Sequence, residues 1–491
     1  MLEADGGRRK AEEAGRPASV SRLSSSAYAY AGALIDALAR AGVRHACICP
    51  GSRSTPLALS LAAHDAITQW IHVDERSAAF FALGLGKASG MPVALVCTSG
   101  TAAANFLPAI VEARYGRVPL LVLTADRPPE LRDNGAPQAI DQIHLYGGNV
   151  KWFVEMPLPD AAEPTLRYLR ATAARAVATA MEGPAGPVHL NLPFREPLVP
   201  PSPDFLPHAG TEARSEDTEK PSCSPCLRDD HHVVVAGPRV APQETVADLA
   251  RSLAATPRGL IVCGPQSDPA LAAAVTRLAA ALGYPVLADP LSGVRCGRHS
   301  GAYVLDCYDA VLRDERAAAL TPDVVLRFGA TPTSKALLTF VRGVGRHVLV
   351  DGDGGWRDPV ALAGEILHAD AALLCAALAD EVANRSALRA LDRCAGDPAW
   401  AERWLTSDRR ARGAIAAYLE QLGEPFEGKV FAELAEMLPD GATLYAGNSM
   451  PVRDLETFFA GSRRDVRFLS NRGANGIDGV VSSALGVSAA A

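Results

Sequence analysis

An acidic pair, Asp74 and Glu75, lies where the apolar run WIHV meets the helical pattern RSAAFFALGLGKA. Two roles fit Glu75. A carboxylate at a helix N-terminus is stabilised by the helix dipole, and Asp74 would serve that purpose equally well. Alternatively, an acid at the end of a buried strand loses hydration, which raises its pKa and lets it exchange protons near neutral pH. The sequence leaves both roles open.

Small residues follow another apolar run, VALVC, in the segment TSGT at Thr98 to Thr101. This pattern predicts a helix N-terminus, where free backbone N–H groups and the helix dipole suit an anion or a closely approaching ring. Thr98 and Gly100 are therefore candidate binding residues. Gly-rich turns between strands and helices are common, so the segment alone does not identify a ligand.

Arginines lie in loops at the ends of predicted strands. Arg53 in PGSRSTP and Arg127 in TADRPPE stand beside prolines that stiffen these loops. Arginines on rigid loops favour bidentate recognition of carboxylate or phosphate, although most loop arginines are simply solvated. With Arg453 and Arg472 in similar loops, the pattern favours a pocket for a polycarboxylate.

Alternating strand and helix periods must position these residues. They predict an α/β fold in which the loops emerge at the carboxyl ends of parallel strands, where open sheets bind their ligands. We expect a disordered extension at 1–26, a first domain at 27–200, a linker at 201–257, a Rossmann-like domain at 258–385 and a third α/β segment at 400–491. The third segment offers too few strands to complete a sheet layer of the same size.

Composition excludes several classes of protein. The 491 residues carry 48 Lys+Arg and 55 Asp+Glu, a net charge of −7, without the basic stripe that nucleic-acid binding needs. No apolar run is long enough to span a membrane. Scattered cysteines in apolar runs are typical of a reduced, cytoplasmic protein. Cys223 and Cys226, near His231 and His232, have the spacing of a metal site, but their Pro/Ser-rich surroundings argue against one.

Six blocks along the chain resemble the thiamine diphosphate-dependent 2-succinyl-5-enolpyruvyl-6-hydroxy-3-cyclohexene-1-carboxylate (SEPHCHC) synthases of menaquinone biosynthesis. In the family's order they are CPGSRSTPLALS, HVDERSAAFFALGLGKASG, TSGTAAANFLPAIVEA, LTADRPPELRDNGAPQAIDQ, GNSMPVRDLE and SNRGANGIDG. The similarity extends from about Ser24 to Val487. It is weakest in the linker and the middle domain.

The resemblance implies three domains of parallel sheets flanked by helices: a pyrimidine-binding domain, a central domain and a diphosphate-binding domain. It implies a homodimer or homotetramer with the cofactor bound between subunits. Glu75 would hydrogen-bond N1′ of the cofactor's aminopyrimidine and promote formation of the thiazolium ylide. The reaction would be a transfer in which 2-oxoglutarate loses CO₂ and the four-carbon carbanion adds to the alkene of isochorismate.

The resemblance also implies roles for the remaining candidate residues. Catalysis would involve Glu75, Gln138 and Arg453; substrates would bind Ser52, Arg53, Arg127, Lys335, Ser449 and Arg472; the cofactor would contact Glu75, Thr98, Gly100, Ser449 and Ile477. Ile477 would prop the cofactor in its bent form, although an ordinary core isoleucine fits the sequence as well. Ala336 and Pro137 depart from the family pattern, which leaves the isochorismate contacts open.

The family holds Mg²⁺ on a Gly-Asp motif and a downstream Asn that follow the last of these blocks. We therefore interpret the chain as C-terminally truncated within its last domain and assign no metal ligand. The segment GDGG at 352–355 lies after the strand-like run HVLVD, and Pro359 prevents the helix that would bind a diphosphate there. We predict a turn.

Two other functions stay open. An acetolactate synthase-like carboligase or 2-oxoacid decarboxylase would share the cofactor but lack the arginines of SRSTP, ADRPPE and SNRG. A non-catalytic homologue would have a degenerate cofactor site and bind only isochorismate-like anions. Substitution of Arg53 or Arg127 separates the first of these from a synthase that acts on dicarboxylates.

Overall fold

The computed structural model describes residues 18–200, 237–301, 303–388 and 397–490. They form two compact units. The first unit contains the described residues up to 200 together with 478–490, and the second contains 237–477. Among the described residues, no helix is both long and apolar enough to cross a membrane.

A six-stranded parallel sheet organises the first unit, in the order β2-β1-β3-β4-β6-β5. The strands are β1 (His45–Ile48), β2 (Thr68–Ile71), β3 (Val93–Cys97), β4 (Leu120–Asp126), β5 (Trp152–Glu155) and β6 (Val188–Pro193). Strands β3, β4 and β6 are buried along their whole length because helices cover both faces of the sheet. The loops after these parallel strands meet at one edge of the sheet.

Helices of the first unit follow the strands in βαβ order. They are α1 (Ala18–Arg40), α2 (Thr55–Ala62), α3 (Glu75–Ser89), α4 (Thr101–Asn105), α5 (Leu107–Gly116), α6 (Glu163–Met181) and, from the end of the chain, a helix at Val480–Ala489. One apolar cluster packs α1 and α6 against one face of the sheet, and a second packs α3 and α5 against the other. This packing fixes where each loop leaves the sheet.

The second unit contains another six-stranded parallel sheet, in the order β12-β11-β10-β7-β8-β9, and a parallel pair, β13 and β14. The strands are β7 (Gly259–Cys263), β8 (Val286–Ala288), β9 (Val304–Leu305), β10 (Val324–Phe328), β11 (His347–Val350), β12 (Glu365–Leu367), β13 (Thr443–Tyr445) and β14 (Arg467–Leu469). The helices are α7 (Gln243–Ala254), α8 (Leu271–Leu282), α9 (Tyr308–Val311), α10 (Lys335–Phe340), α11 (Ala371–Leu388), α12 (Pro398–Gln421), α13 (Glu427–Met437) and α14 (Met450–Phe458). The helix at Val480–Ala489 is α15.

The predicted α/β class, with parallel sheets flanked by helices, is confirmed. Two segments differ from their predicted state. Residues 18–26, placed in a disordered extension, are part of α1, because the amphipathic run from Ala27 onward supports a helix that propagates back to Ala18. Residues 243–254, placed in the linker, form α7, whose Val246 and Leu249 are buried in the second core.

The third predicted segment is shared between the units. Helix α12, near its start, packs Trp400 and Trp404 into the apolar cluster of the second unit's six-stranded sheet, and the Trp400 indole donates to the Gly259 carbonyl at 2.9 Å. Helix α15, which lies near the end of this predicted segment, belongs to the first unit. The run at 231–236 and the pair Cys223 and Cys226 lie outside the described residues.

Candidate functional site

Asp74 and Glu75 have different roles at the start of α3. The Asp74 carboxylate accepts hydrogen bonds from the Ser77 hydroxyl and from the Ser77 N–H, the latter at 3.0 Å, and these bonds lower its pKa. Asp74 is therefore the N-cap, and Glu75 is the first helical residue. Among the described residues, no hydrogen bond or ion pair engages the Glu75 carboxylate.

The expectation that Glu75 follows a buried strand is wrong for this chain. Strand β2 is an edge strand of the sheet, and Ile71 at its end is 62% exposed. Glu75 itself is partly exposed. Its negative charge nevertheless reaches the buried thiols of Cys49 and Cys97, whose pKa it raises in addition to the larger effect of burial.

The TSGT segment forms the predicted turn into α4, but its Gly100 N–H is already used. This N–H donates to Oε1 of the buried Gln142 at 2.9 Å, so it is not free to bind an anion. Gly100 has φ +88°, and a Cβ there would lie 3.3 Å from the Gln138 carbonyl oxygen. Thr98 packs against Gly51, where an added Cβ would lie 2.5 Å from the Thr98 Cβ. Glycine at both positions thus allows neighbouring loops to approach the turn.

Arg53 is almost fully buried, in contrast to the exposed Ser52 beside it. Its Nη1 donates to the Phe194 carbonyl at 2.8 Å and its Nη2 to the Glu196 carboxylate at 3.1 Å. Its Nε is buried without a hydrogen-bond partner among the described residues. Burial lowers the Arg53 pKa, and the positive charge of Arg127 lowers it further.

Arg127 lies at the carboxyl end of β4, beside the TSGT turn. Its Nη1 donates to the Ser99 hydroxyl at 2.5 Å and its Nη2 to the Gln138 side-chain oxygen at 3.4 Å. Gln138 is exposed and has φ +55°. The first unit therefore brings Arg127, Gln138 and the turn at Gly100 together at one sheet edge.

In the second unit, a buried asparagine holds the two loops that carry candidate residues. The Asn448 amide donates to the carbonyls of Asn471 and Gly476 at 2.5 and 2.6 Å. Its side-chain oxygen accepts from the Ser470 hydroxyl at 3.2 Å. Asn448 thus fixes the turn before Ser449 against the loop that contains Arg472.

Ser449 has φ +69° and ψ −121°, a backbone conformation that side chains disfavour, and it immediately precedes α14. Arg453 is exposed on the first turn of that helix. Ile477 is 75% exposed. Ile477 is therefore not an ordinary core residue, and its side chain is accessible to a bound molecule.

Lys335 is exposed at the first position of α10 in the second unit. The preceding Ser334 caps the helix by accepting from the Leu337 N–H at 3.0 Å, so Lys335 has no part in capping. Asp351 begins the predicted turn of GDGG, and its carbonyl accepts from the Gly354 N–H at 3.1 Å. The chain forms no helix between this turn and β12.

The first unit offers an acceptor that a hydrogen-bonding ring could use, because the Glu75 carboxylate is partly exposed and has no partner among the described residues. No group of three or more His, Cys, Asp or Glu residues in the described part of the chain is placed to hold a metal ion. Sequence reasoning did not select Gln142, Asn191 or Asn448 as site residues. Gln142 and Asn448 lie inside the quoted blocks NGAPQAIDQ and GNSMPVRDLE, but only their distant partners show what they do.

Comparisons with known proteins identify a thiamine pyrophosphate enzyme. Residues 29–145 match the N-terminal TPP binding domain of thiamine pyrophosphate enzymes, and residues 232–446 match the family described as the middle domain of thiamine pyrophosphate. A SEPHCHC synthase of Geobacillus kaustophilus is 54% identical over 466 residues, which cover 94% of this chain and 76% of that protein.

Two further relatives carry the same name. The SEPHCHC synthase of Geobacillus thermodenitrificans is 53% identical over 94% of this chain and 75% of its own length. That of Chloroflexus aurantiacus is 50% identical over 93% of this chain and 74% of its own length. The similarity thus extends over both units.

Proposed function

Because the chain belongs to the SEPHCHC synthase family of thiamine pyrophosphate enzymes, we propose that it decarboxylates 2-oxoglutarate and adds the resulting four-carbon fragment to isochorismate. The product would be SEPHCHC, an intermediate of menaquinone biosynthesis. When bound, thiamine diphosphate supplies the carbon nucleophile and accepts the electron pair that CO₂ leaves behind.

The observation that carries this proposal is that Asp74 and Glu75 have different roles at the start of α3. Asp74 is bound by Ser77 and caps α3, which leaves the Glu75 carboxylate available to a ligand. Glu75 would accept a hydrogen bond from the cofactor's pyrimidine and hold a proton there. Thr98 and Gly100, in the first unit, would also contact the cofactor. Ser449 and Ile477, in the second unit, would contact the cofactor that a second copy of the chain binds.

Both substrates are dicarboxylates, and cationic side chains are available for them. Arg127 lies against Ser99 and Gln138 with its guanidinium only partly buried, so it can receive a carboxylate. Lys335 and Arg453 are exposed. We assign Ser52, Arg472, Ser449 and Gln138 to the same substrates. Both Nη atoms of Arg53 are bonded within the protein, so a substrate contact by this buried side chain would use its Nε.

Finer features of the enzyme are also proposals. We propose Mg²⁺ as the diphosphate's counter-ion, without assigning ligands to it. We propose a homodimer or homotetramer, supported by the exposed apolar residues Ile71 and Val73 next to Glu75, which a second subunit would cover. Sedimentation of the full-length protein measures this assembly. Buried, free cysteines support a cytoplasmic location.

The proposal is tested by replacing Glu75 with Gln. We expect SEPHCHC formation to fall by roughly 10²–10⁴-fold, because the amide cannot exchange the proton. The free energy of unfolding should change by less than about 1 kcal/mol, since Glu75 is not the N-cap and interacts with α3 only through the helix dipole. The matched control, Asp74→Ala, should lower stability by about 1 kcal/mol through loss of the N-cap and keep most of the activity.

The assay follows isochorismate consumption by absorbance together with CO₂ release from 2-oxoglutarate. Full activity of Glu75→Gln would contradict the assigned role of Glu75. Turnover of a monocarboxylate 2-oxoacid in place of 2-oxoglutarate by the parent enzyme would instead favour the acetolactate synthase-like alternative.

A further inference from the structure

A buried network of polar side chains lies under the candidate site of the first unit, and Asn191 on β6 is its junction. The Asn191 amide donates to Asp126 Oδ2 at 2.8 Å and to Glu155 Oε2 at 2.7 Å. Its oxygen accepts from the Thr124 hydroxyl at 2.8 Å and from Gln142 Nε2 at 2.9 Å. Asn191 is fully buried, and its hydrogen-bonding capacity is used on every side.

Gln142 connects this junction to the TSGT turn. Its Nε2 donates to Asn191 and to the Ala125 carbonyl at 3.2 Å, while its Oε1 accepts from the Gly100 N–H. A backbone N–H can only donate, so this bond fixes which end of the amide faces the turn. The side chain of Gln142 therefore joins three segments that are distant in sequence.

Asp126 connects the junction to the loop of Arg127. Asp126 Oδ1 accepts from the Arg127 N–H at 2.7 Å, and Oδ2 contacts Arg132 at 2.9 Å in addition to Asn191. Arg132 also donates to the Arg127 carbonyl at 3.1 Å and to Glu155 at 2.6 Å. The backbone of Arg127 is thus held from both sides.

We propose that Asn191 and Gln142 are positioning residues that lock the Gly100 turn and the Arg127 loop into one relative arrangement at the sheet edge. An apolar core would stabilise the fold equally well, whereas a fully satisfied polar network specifies a single geometry. The consequence for binding, that Arg127 meets a substrate carboxylate at a fixed position beside the turn, rests on the proposed function. The structural part does not.

The experiment compares Gln142→Leu and Asn191→Leu with Thr124→Val in the full-length enzyme. Thr124 is as fully buried, and its hydroxyl forms hydrogen bonds with His189 and Asn191 but with no residue of either loop. Amide hydrogen exchange is measured for peptides that cover 99–106 and 127–141, together with melting temperature and the KM and kcat for each substrate.

We expect both leucine variants to exchange faster in these two peptides and to show a KM about 10-fold higher for at least one dicarboxylate, since a displaced Arg127 binds it less well. Thr124→Val should lower the melting temperature and leave exchange in these peptides and both KM values unchanged. Equal effects of all three substitutions, or unchanged exchange in the leucine variants, would overturn the proposal.

A variant of nearly the same shape keeps the test decisive if the leucine variants do not fold. Gln142→Glu, when ionised, retains an acceptor for the Gly100 N–H but loses both donors, so exchange at 99–106 should stay slow while exchange at 127–141 accelerates. Unchanged exchange at 127–141 would overturn the proposal. If the parent enzyme forms no SEPHCHC, the proposed function fails, and the exchange data still decide the positioning role.

Discussion

At the scale of single residues, two arginines in similar sequence contexts differ in their burial. Arg53 and Arg127 both follow a strand and stand beside proline, yet Arg53 is buried on the Phe194 carbonyl while Arg127 stays partly exposed. A lysine cannot reproduce the branched contacts of a guanidinium. Substitution by lysine should therefore affect mainly stability at Arg53 and mainly substrate binding at Arg127.

Arg53→Lys should lower the melting temperature by several degrees, because it removes a charge-assisted bond worth about 1.5–3 kcal/mol in a buried setting. Arg127→Lys should instead raise a substrate KM at nearly constant stability. Thermal melts and steady-state kinetics of the two variants check this pair. Equal stability loss in both would contradict the assignment.

Ser449 has φ +69° and ψ −121°, a backbone conformation that is strained for any residue with a side chain. Ser449→Gly should raise stability by about 1–3 kcal/mol and lower activity through loss of the hydroxyl. Ser449→Ala is the matched control: it loses the same hydroxyl but keeps the strain, so its activity should fall without a gain in melting temperature. A stabilised alanine variant would contradict this explanation.

Residue types and local spacing indicated which side chains to consider, but not their states. The spacing of Asp74 and Ser77 is that of an N-cap, so the capping role of Asp74 could have been predicted. The exposure of Glu75 could not, because it depends on β2 being an edge strand. The bond from Gly100 to Gln142 joins residues 42 positions apart, a distance over which periodicity carries no information.

At the scale of elements, a buried ion pair attaches α14 to the second sheet. Arg295 donates to the Ala288 carbonyl at 2.8 Å, at the end of β8, and to the Glu456 carbonyl at 2.8 Å within α14. Its Nη2 lies 3.2 Å from the Glu456 carboxylate, and both side chains are almost fully buried. Burial raises the Glu456 pKa and the positive charge of Arg295 lowers it, so an ionised Glu456 depends on this guanidinium.

Arg295→Met should therefore destabilise the second unit by about 3–5 kcal/mol, because it leaves the Glu456 carboxyl buried without its partner. The double variant Arg295→Met, Glu456→Met should recover much of this loss. Denaturant unfolding of the two variants measures the difference. A double variant as unstable as the single one would mean that the carbonyl bonds, rather than the ion pair, hold α14.

Periodicity predicted the elements well where strands are buried on both faces, as in β3, β4 and β7. It also predicted that the arginine loops leave the carboxyl ends of strands. The helix α7 was missed because its surroundings are rich in proline and charge, and its apolar face is recognisable only once the core that it covers is known.

At the scale of the whole molecule, helix α15 is part of the first unit. Helices α3 and α15 approach closely through glycines: a Cβ on Gly84 would lie 2.0 Å from the Ser483 carbonyl oxygen, and one on Gly486 would lie 2.0 Å from that of Phe81. Sequence patterns placed α15 in the third segment, since they register neighbours along the chain and not contacts across about 400 residues.

The two units should therefore respond separately to a methyl group added to one glycine. Gly84→Ala forces α15 away from α3 and should destabilise the first unit by about 1–3 kcal/mol. Gly413→Ala in α12 meets no atom within 4 Å, so it should stabilise the second unit by about 0.5–1 kcal/mol through helix propensity. Differential scanning calorimetry of both variants should show opposite shifts in different transitions. If both substitutions shift the same transition downward, the units do not unfold separately. If Gly84→Ala leaves the calorimetric profile unshifted, α15 does not pack on α3 in solution.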